Sequence, residues 1–274
     1  MATPQDLDRA DPYRDESGRT LADYPRPSVA VDTAVLTVAA GRLRVLLVRG
    51  SDNSQGLPGT FLHPGERLAE ASLRALRDKA QVVGLAPRQL MVFDDPGRDS
   101  RGWVLSVAHL DAVRADLIPL TDHSTLVPVD ECPELRYDHT AIITHASATL
   151  RDAYRRLPDP WHLLEPGDGG VTIRDLRLLH EQVLGERLVA DTFRRAMLPG
   201  LRRTGRGRRG PRGKPAELYR LTGRGPLPGG VVAAWSQPAA EARAPWWSAY
   251  WPKKIRVATS RLLETPTFSK IDLK

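Results

Sequence analysis

Residues 57–82 read LPGTFLHPGERLAEASLRALRDKAQV, and this stretch decides the fold of the first half of the chain. Its first part carries Pro58, Gly59, Pro64 and Gly65, which favour a loop over the interior of a helix or strand. Apolar residues then recur at helical spacing, and they are Leu68, Ala71, Ala75, Leu76, Val82 and Val83. The stretch therefore predicts a loop followed by one amphipathic helix.

The loop and helix together resemble the Nudix box, whose pattern is Gly, five residues, Glu, seven residues, then Arg-Glu-apolar-any-Glu-Glu-any-Gly. Glu66 and Arg74 occupy their places in this pattern, but other positions depart from it, and the residues found there are Thr60, Ala75, Asp78, Lys79 and Gln81. A hard cation needs several carboxylate oxygens, and an ammonium group among them repels it. The resemblance implies a Nudix fold kept as a binding pocket, with no catalytic residue, metal ligand or cofactor assigned. The alternative is an ordinary Pro/Gly-rich loop before a surface helix.

Composition narrows the class of protein. The 274 residues carry a net charge of +7 and are 41% hydrophobic, which predicts a globular protein with an anionic partner. The single cysteine, Cys132, gives no disulfide framework and suits a reducing compartment. No apolar run approaches the roughly 18 residues of a membrane span, and no signal peptide is recognisable. A cytoplasmic protein without a membrane span is expected.

The segments on either side of the box have sequences typical of β-strands. Residues 1–23 are polar and predict a disordered leader. Residues 29–38 and 43–49 predict a hairpin, and further strands are expected at 89–93, 103–110 and 125–129.

The order of these segments narrows the resemblance. The quoted box, YPRPSVAVD at 24–32, DPGRDSRGWVLSVAHL at 95–110 and RYDHTAIITHA at 136–146 are similar to the Nudix-related transcriptional regulators of NAD metabolism. In that family a Nudix domain, often catalytically decayed, is joined to a winged helix. The resemblance covers about residues 24–221. It implies an α+β protein, with an N-terminal Nudix α/β/α sandwich followed by a C-terminal winged helix-turn-helix domain. The implied segments are a Nudix-like domain at 24–157, a linker at 158–170, a winged helix at 171–222 and a tail at 223–274.

A helix is expected over residues 137–157, with Asp138 as its N-cap. An apolar stripe on this helix is formed by Ile142, Ile143, Ala146 and Leu150. His139 and His145 do not share a face of the helix, so they are expected to be structural rather than metal ligands.

Residues 171–198 have the pattern of a helix-turn-helix. Thr172 and Asp175 form a capping-box variant, and Gly185 ends the first helix, which buries Ile173, Leu176, Leu179 and Val183. The second helix, residues 190–198, turns Phe193 and Met197 inward and presents polar groups to DNA.

A basic, glycine-rich run follows between two expected strands, 201–203 and 217–221. Its tip carries Arg206, Arg208, Arg209, Arg212 and Lys214, a charge suited to a phosphate backbone. The sequence KPAELYR at 214–220 matches the closing signature of the family. The alternative is a solvated loop. The recognition helix departs from the family pattern Asp-Lys-Arg-Asn-Phe-Arg-Arg, because residues 189–195 read VADTFRR. The DNA-binding candidates are Thr172, Thr192, Arg194, Arg195, Arg212 and Lys214.

The expected function is a DNA-binding transcriptional regulator that senses an ADP-ribose-like or other nucleotide metabolite. As a homodimer it would bind a palindromic operator in double-stranded DNA. Arginines hold a pyrophosphate through paired hydrogen bonds without a metal, and the ligand-binding candidates are Arg49, Phe61, Glu66, Arg98 and Arg101.

Two alternative functions stay open. One is a Nudix pyrophosphatase acting on ADP-ribose-like substrates, with a metal held by Glu66, Asp78 and ligands outside the box. The other is a constitutive DNA-binding protein whose Nudix domain only dimerises.

The tail contains Trp235, Trp246, Trp247, Tyr250 and Trp251. Since clustered aromatic residues are costly to expose, packing on the chain itself or on a dimer partner is expected. Docking on a membrane surface is the alternative.

Overall fold

The computed structural model describes residues 13–165, 169–209 and 215–222. Within these residues, one sheet is formed by seven strands, which are β1 Ser28–Ala39, β2 Arg42–Arg49, β3 Gln55–Gly56, β4 Gly59–Phe61, β5 Arg88–Phe93, β6 Val104–Ala112 and β7 Ser124–Pro128. They run in the order β3-β2-β1-β6-β5, with β4 paired to β1 and β7 paired to β2.

Strand β1 is the centre of this sheet. It pairs in parallel with β6 from Ser28 to Leu36, and antiparallel with β4 and β2 on its other side. The predicted hairpin is therefore confirmed, and its two strands extend slightly beyond the expected limits. On that side, β2 pairs with residues 36–39 of β1, and β4 pairs with residues 30–32 near the start of the strand.

Two helices cover opposite faces of the sheet, namely α1 Leu68–Ala80 and α2 His139–Arg156. Residues alternate between these faces, as strand geometry requires. Val35 packs in one cluster with Leu76 of α1, whereas the adjacent Leu36 packs in another with Ile142 of α2. This arrangement is the predicted α/β/α sandwich.

The ends of these helices differ in detail from the sequence expectations. Gln81 adopts a left-handed conformation that ends α1, and Val83 is exposed instead of continuing its apolar face. Asp138 precedes α2, but it has a φ of 62° and no capping hydrogen bond. The expectation that Asp138 caps the helix is wrong, because its carboxylate binds Arg98 instead.

Two predicted irregular segments contain ordered structure. Within the predicted leader, residues 13–23 form a hydrogen-bonded turn in which Asp15 accepts bonds from Ser17 and Arg19. Within the predicted linker, Trp161 and Leu163 are buried in the same cluster as α2. The linker is therefore part of the hydrophobic core at these positions rather than a free tether.

The second domain consists of α3 Ile173–Leu184, α4 Ala190–Met197, β8 Leu201–Arg208 and β9 Ala216–Leu221. Its small core contains Val171, Leu176, Phe193 and Met197, which confirms the predicted inward face of α4. Val171 also bridges to Tyr219 through two backbone hydrogen bonds, so the chain enters the domain beside the β8–β9 hairpin. In the part of the chain that the structure describes, every helix is too short or too polar to span a membrane.

Candidate functional site

Arg101 is the centre of a cluster on the α2 side of the sheet. Its guanidinium carbon lies 4.5 Å from the ring centre of Tyr137 and 5.3 Å from that of Phe61. Asp99 holds the guanidinium at 2.7 Å through Nη2. The Arg101 side chain remains 55% exposed, so it can still meet a ligand. Phe61 and Arg101, two of the predicted ligand-binding residues, are thus brought together.

The backbone before α2 is unusual and positions this cluster. Tyr137 and Asp138 have φ values of 60° and 62°, a conformation that costs free energy in residues other than glycine. Arg98 stabilises it, because its Nε donates to Asp138 at 2.8 Å and its Nη2 donates to the Tyr137 carbonyl at 2.7 Å. The Arg98 side chain is 1% exposed. It therefore orients Tyr137, and its guanidinium is not open to a ligand in this arrangement.

A buried polar group lies under the same face. His139 accepts a hydrogen bond from the Leu57 N–H through Nδ1 at 3.1 Å, so its proton lies on Nε2, which faces Asp32 at 3.2 Å. The Ser106 hydroxyl donates to the other oxygen of Asp32 at 2.5 Å. Burial alone would raise the pKa of Asp32, but the hydrogen bonds from His139 and Ser106 and the nearby charges hold it below its usual value. His139 is a structural histidine, as predicted.

Glu66 and Arg74 lock the loop of the box to α1. Arg74 donates to both oxygens of Glu66, at 2.7 and 2.8 Å, and also to the Phe61 carbonyl at 2.9 Å. The His63 N–H donates to Glu66 as well. Glu66 was predicted to touch a ligand, but its oxygens are occupied by these contacts, and it shapes the loop that carries Phe61.

Arg49 lies apart from the other candidates. It is exposed at the end of β2, where it pairs with Gln55 and its N–H donates to the His123 carbonyl. No side-chain contact among the described residues joins it to Arg101. The described residues also contain no group of three or more His, Cys, Asp or Glu side chains that could hold a metal ion.

The candidate DNA interface is the outer face of α4. Thr192, Arg194 and Arg195 are exposed there, while Phe193 and Met197 face inward. Glu181 braces the turn before α4, because it accepts hydrogen bonds from the Leu188 N–H and from Arg177. The three polar candidates thus project from a helix whose position is fixed by buried contacts.

The hairpin of β8 and β9, which we call the wing, contacts the start of α3. Arg208 donates to Asp175 at 2.8 Å and to the Gly170 carbonyl at 3.1 Å, so it lies within β8 and not at a free tip. Thr172 is buried, and its hydroxyl accepts from the Asp175 N–H, which confirms the predicted cap. Arg212 and Lys214 lie outside the described residues, as does the Trp-rich tail.

The two domains share buried contacts along α3. The His180 ring lies 5.1 Å from that of Tyr154 in α2 and 4.8 Å from that of Phe193 in α4, edge to face in both cases. Its Nε2 donates to the Pro158 carbonyl, and burial lowers the pKa of His180. Arg151 of α2 also donates to the Val183 carbonyl at 3.1 Å. Side-chain contacts therefore run without a break from the Nudix-like sandwich to the candidate recognition helix.

Several important residues were not among the predicted site residues, namely Asp32, Arg74, Lys79, Tyr137 and His180. Arg74 and Lys79 were noted at positions of the box pattern, but the pattern assigned them no contact. The other residues act through partners that are far away in the sequence.

Comparison with families and with characterised relatives agrees with this geometry. Residues 170–221 match the family described as the NrtR DNA-binding winged helix domain. The chain is 28% identical to the ADPR-responsive transcriptional repressor NtrR of Acinetobacter baylyi, over 73% of this chain and 84% of that protein. It is 29% identical to an ADP-ribose pyrophosphatase of Methanocaldococcus jannaschii, over 44% of this chain and 73% of that protein.

Solved structures extend the likeness to both domains. NrtR of Shewanella oneidensis in complex with a 27mer DNA has a TM-score of 0.58 and 29% identity, covering 70% of this chain and 93% of that one. A second crystal structure of Shewanella oneidensis NrtR has a TM-score of 0.59 and 27% identity, covering 71% of this chain and 94% of that one. These likenesses confirm the predicted fold class, a Nudix sandwich followed by a winged helix.

Proposed function

We propose that this chain, a Nudix-related transcriptional regulator with a C-terminal winged helix, binds operator DNA through α4 and the wing. Binding of a metabolite to the Nudix domain would change the affinity for DNA. The observation that carries this proposal is the exposure of Thr192, Arg194 and Arg195 on a helix packed, through His180, against the Nudix domain. Arg194 and Arg195 would contact base edges or phosphates, and Thr192 would contact the groove.

The proposed metabolite is ADP-ribose or a related nucleoside diphosphate. The relative from Acinetobacter baylyi is described as ADPR-responsive, and the exposed Arg101 offers a guanidinium stacked on two aromatic rings. A guanidinium of this kind binds a diphosphate through paired hydrogen bonds. Phe61 and Tyr137 would border the same site, and Arg98 and Glu66 would hold them in position.

A homodimer completes the proposal. Two copies of the winged helix related by a two-fold axis would match a palindromic operator, and each half-site would receive one α4. Ligand binding would act by favouring one relative placement of the two helices over another. Arg212 and Lys214, which carry positive charge, would add phosphate contacts.

The proposal includes no hydrolysis. The box has Ala75, Asp78 and Lys79 at positions where the Nudix pattern has glutamates. We expect no release of AMP from ADP-ribose above the background rate in the presence of Mg²⁺. Turnover at an ordinary enzymatic rate would favour the pyrophosphatase alternative, the activity by which the relative from Methanocaldococcus jannaschii is described.

The direct test is fluorescence anisotropy with a labelled fragment of the DNA upstream of the gene, at fixed salt, with and without ADP-ribose. Salt is held constant because phosphate contacts make the affinity strongly salt-dependent. Replacing Arg194 or Arg195 by Ala should weaken specific binding by about 1–3 kcal/mol if the side chain reads a base edge. Arg77→Ala, which removes an exposed arginine from α1, is the matched control and should bind DNA like the wild type.

Each outcome has a distinct meaning. Specific binding that ADP-ribose shifts supports the full proposal. Specific binding without a shift would contradict the choice of effector and favour the constitutive DNA-binding protein. Wild-type affinity in both Arg194→Ala and Arg195→Ala would overturn the assignment of α4 as the recognition helix.

A further inference from the structure

The free edge of β4 faces α1 and presents two backbone carbonyl groups to it. On the side toward β1, the Pro58 carbonyl accepts from Thr33 and the Leu62 N–H donates to Val29. Since hydrogen-bonding directions alternate along a strand, the carbonyls of Gly59 and Phe61 point away from β1. Arg74 donates to the Phe61 carbonyl, and the Lys79 Nζ donates to the Gly59 carbonyl at 2.5 Å.

The contact of Lys79 with Gly59 is made from a position at which the Nudix pattern has a glutamate. In that pattern positions 75 and 79 are glutamates, one helical turn apart on the same face of α1. Together with the Gly59 carbonyl they would offer the oxygen ligands that Mg²⁺ prefers. Here Ala75 is buried and offers no oxygen, and the Lys79 ammonium is bound to the carbonyl itself. The residues present therefore do not fit a divalent cation.

The ammonium group of Lys79 also has an unpaired charge and hydrogen-bond donors that the Gly59 carbonyl does not use. Among the described residues, no carboxylate forms an ion pair with it, whereas Arg74 is paired with Glu66 and Arg77 with Asp78. An ammonium group has three hydrogen-bond donors, and the Gly59 carbonyl uses one. Lys79 is exposed as a residue, so a ligand can approach it from solvent.

We propose that Lys79 replaces the divalent cation of the Nudix box and binds the diphosphate of the ligand directly, so that ligand binding is independent of metal. This inference rests on the proposed function, since it concerns the same nucleoside diphosphate, which would lie along β4 between Arg101 beside the Phe61 ring and Lys79 at the Gly59 carbonyl. The lysine supplies one positive charge at a fixed place, and it removes a carboxylate ligand that Mg²⁺ would need. The same substitution therefore explains how the pocket could lose hydrolysis and keep its ligand.

Calorimetric titration of the full-length protein with ADP-ribose, in EDTA and in Mg²⁺, tests this directly. The wild type should bind equally well in both buffers. Lys79→Gln should bind about tenfold or more weakly, the size expected for a lost hydrogen bond to a charged group, and Lys79→Arg should recover most of the affinity. Arg77→Gln removes the same charge from the same helix and is the matched control, so its affinity should stay within about twofold, as for a charge outside contact range.

A double variant tests the position more strictly. Ala75→Glu with Lys79→Glu rebuilds the carboxylates of the Nudix pattern, so EDTA should now weaken ADP-ribose binding relative to Mg²⁺. Thermal unfolding of each variant shows whether the fold is intact.

The possible results separate the inference from the function on which it rests. A wild type that needs Mg²⁺, wild-type affinity in Lys79→Gln, or a double variant indifferent to Mg²⁺ would each overturn the role of Lys79 while leaving the effector in place. If the wild type binds no ADP-ribose in either buffer, the effector assignment fails, and the inference fails with it.

Discussion

At the scale of single residues, the Nudix box has kept the groups that hold its loop and changed the groups that would hold a metal. Glu66 accepts hydrogen bonds from Arg74 and from the His63 N–H. Gly59 lies so close to Asp32 that any side chain on it would collide with that carboxylate. These contacts fix the strand that carries Phe61, whatever chemistry the box performs.

Glu66 gives a prediction that depends on pH. The hydrogen bonds from Arg74 and His63 lower the pKa of Glu66 from 4.5 to about 2. Because the folded-state value is depressed, this group stabilises the fold fully above its unfolded pKa, and the contribution is lost as pH falls from 4.5 towards 2. Glu66→Gln should therefore be less stable than the wild type at neutral pH, and the difference should shrink across that window.

Denaturant unfolding at a series of pH values measures this difference. Glu134→Gln, at an exposed site, is the control for loss of one carboxylate. A gap between the wild type and Glu66→Gln that stays constant down to the acid end of the series would show that the ionised form of Glu66 contributes nothing special.

At the scale of elements, the winged helix depends on the start of α3. The Thr172 hydroxyl caps this helix by accepting from the Asp175 N–H. The Asp175 carboxylate in turn accepts from the Thr172 N–H and from Arg208 of the wing. Thr172 was predicted both as a cap and as a DNA contact. Its burial and its bond to the Asp175 N–H account for the first role.

Thr172→Ala should lower the free energy of unfolding of the winged helix by about 1 kcal/mol, the usual cost of losing such a cap. Thr172→Ser keeps the hydroxyl and should leave both stability and DNA affinity close to those of the wild type. A large loss of DNA affinity in Thr172→Ser, with normal stability, would instead show that the methyl group contacts DNA.

The elements themselves were predictable because their signals are local. The spacing of Ile142, Ala146 and Leu150 predicted α2, and Gly185 predicted the end of α3, where it adopts a left-handed conformation. Asp138 failed as a cap because a residue distant in sequence, Arg98, takes its carboxylate.

The candidate ligand site could be predicted only in part. Phe61 and Arg101 were identified as candidates, but their shared contact with Tyr137 joins three separate segments. That contact depends on the left-handed backbone at Tyr137, for which its sequence carries no signal. Likewise, the box pattern identified Lys79 as a departure, but only the fold shows which carbonyl receives its ammonium.

At the scale of the whole molecule, the proposed regulation requires that a ligand near Arg101 change the position of α4. Helix α2 begins directly after Tyr137 and Asp138 and carries Tyr154 near its other end. The Tyr154 ring contacts His180, and His180 contacts Phe193 of α4. The hydroxyl of Tyr154 is itself fixed by Asp159, which also binds the Leu163 and Leu164 N–H groups. A shift of α2 on ligand binding would therefore reach α4, the proposed recognition helix, through buried contacts.

This path predicts a specific effect of His180→Ala. Coupling between two sites typically changes affinity by about 5–150-fold. We expect the variant still to bind ADP-ribose and still to bind DNA. The ratio of DNA affinities with and without ADP-ribose should fall to within about twofold of unity, because the side chain that joins α2 to α4 is gone. Met197→Ala is the control, because it opens the same small core without touching Tyr154. It should lose stability and keep the ratio of the wild type. If His180→Ala also keeps that ratio, the coupling passes through other contacts, of which the bond from Arg151 to the Val183 carbonyl is the next to test.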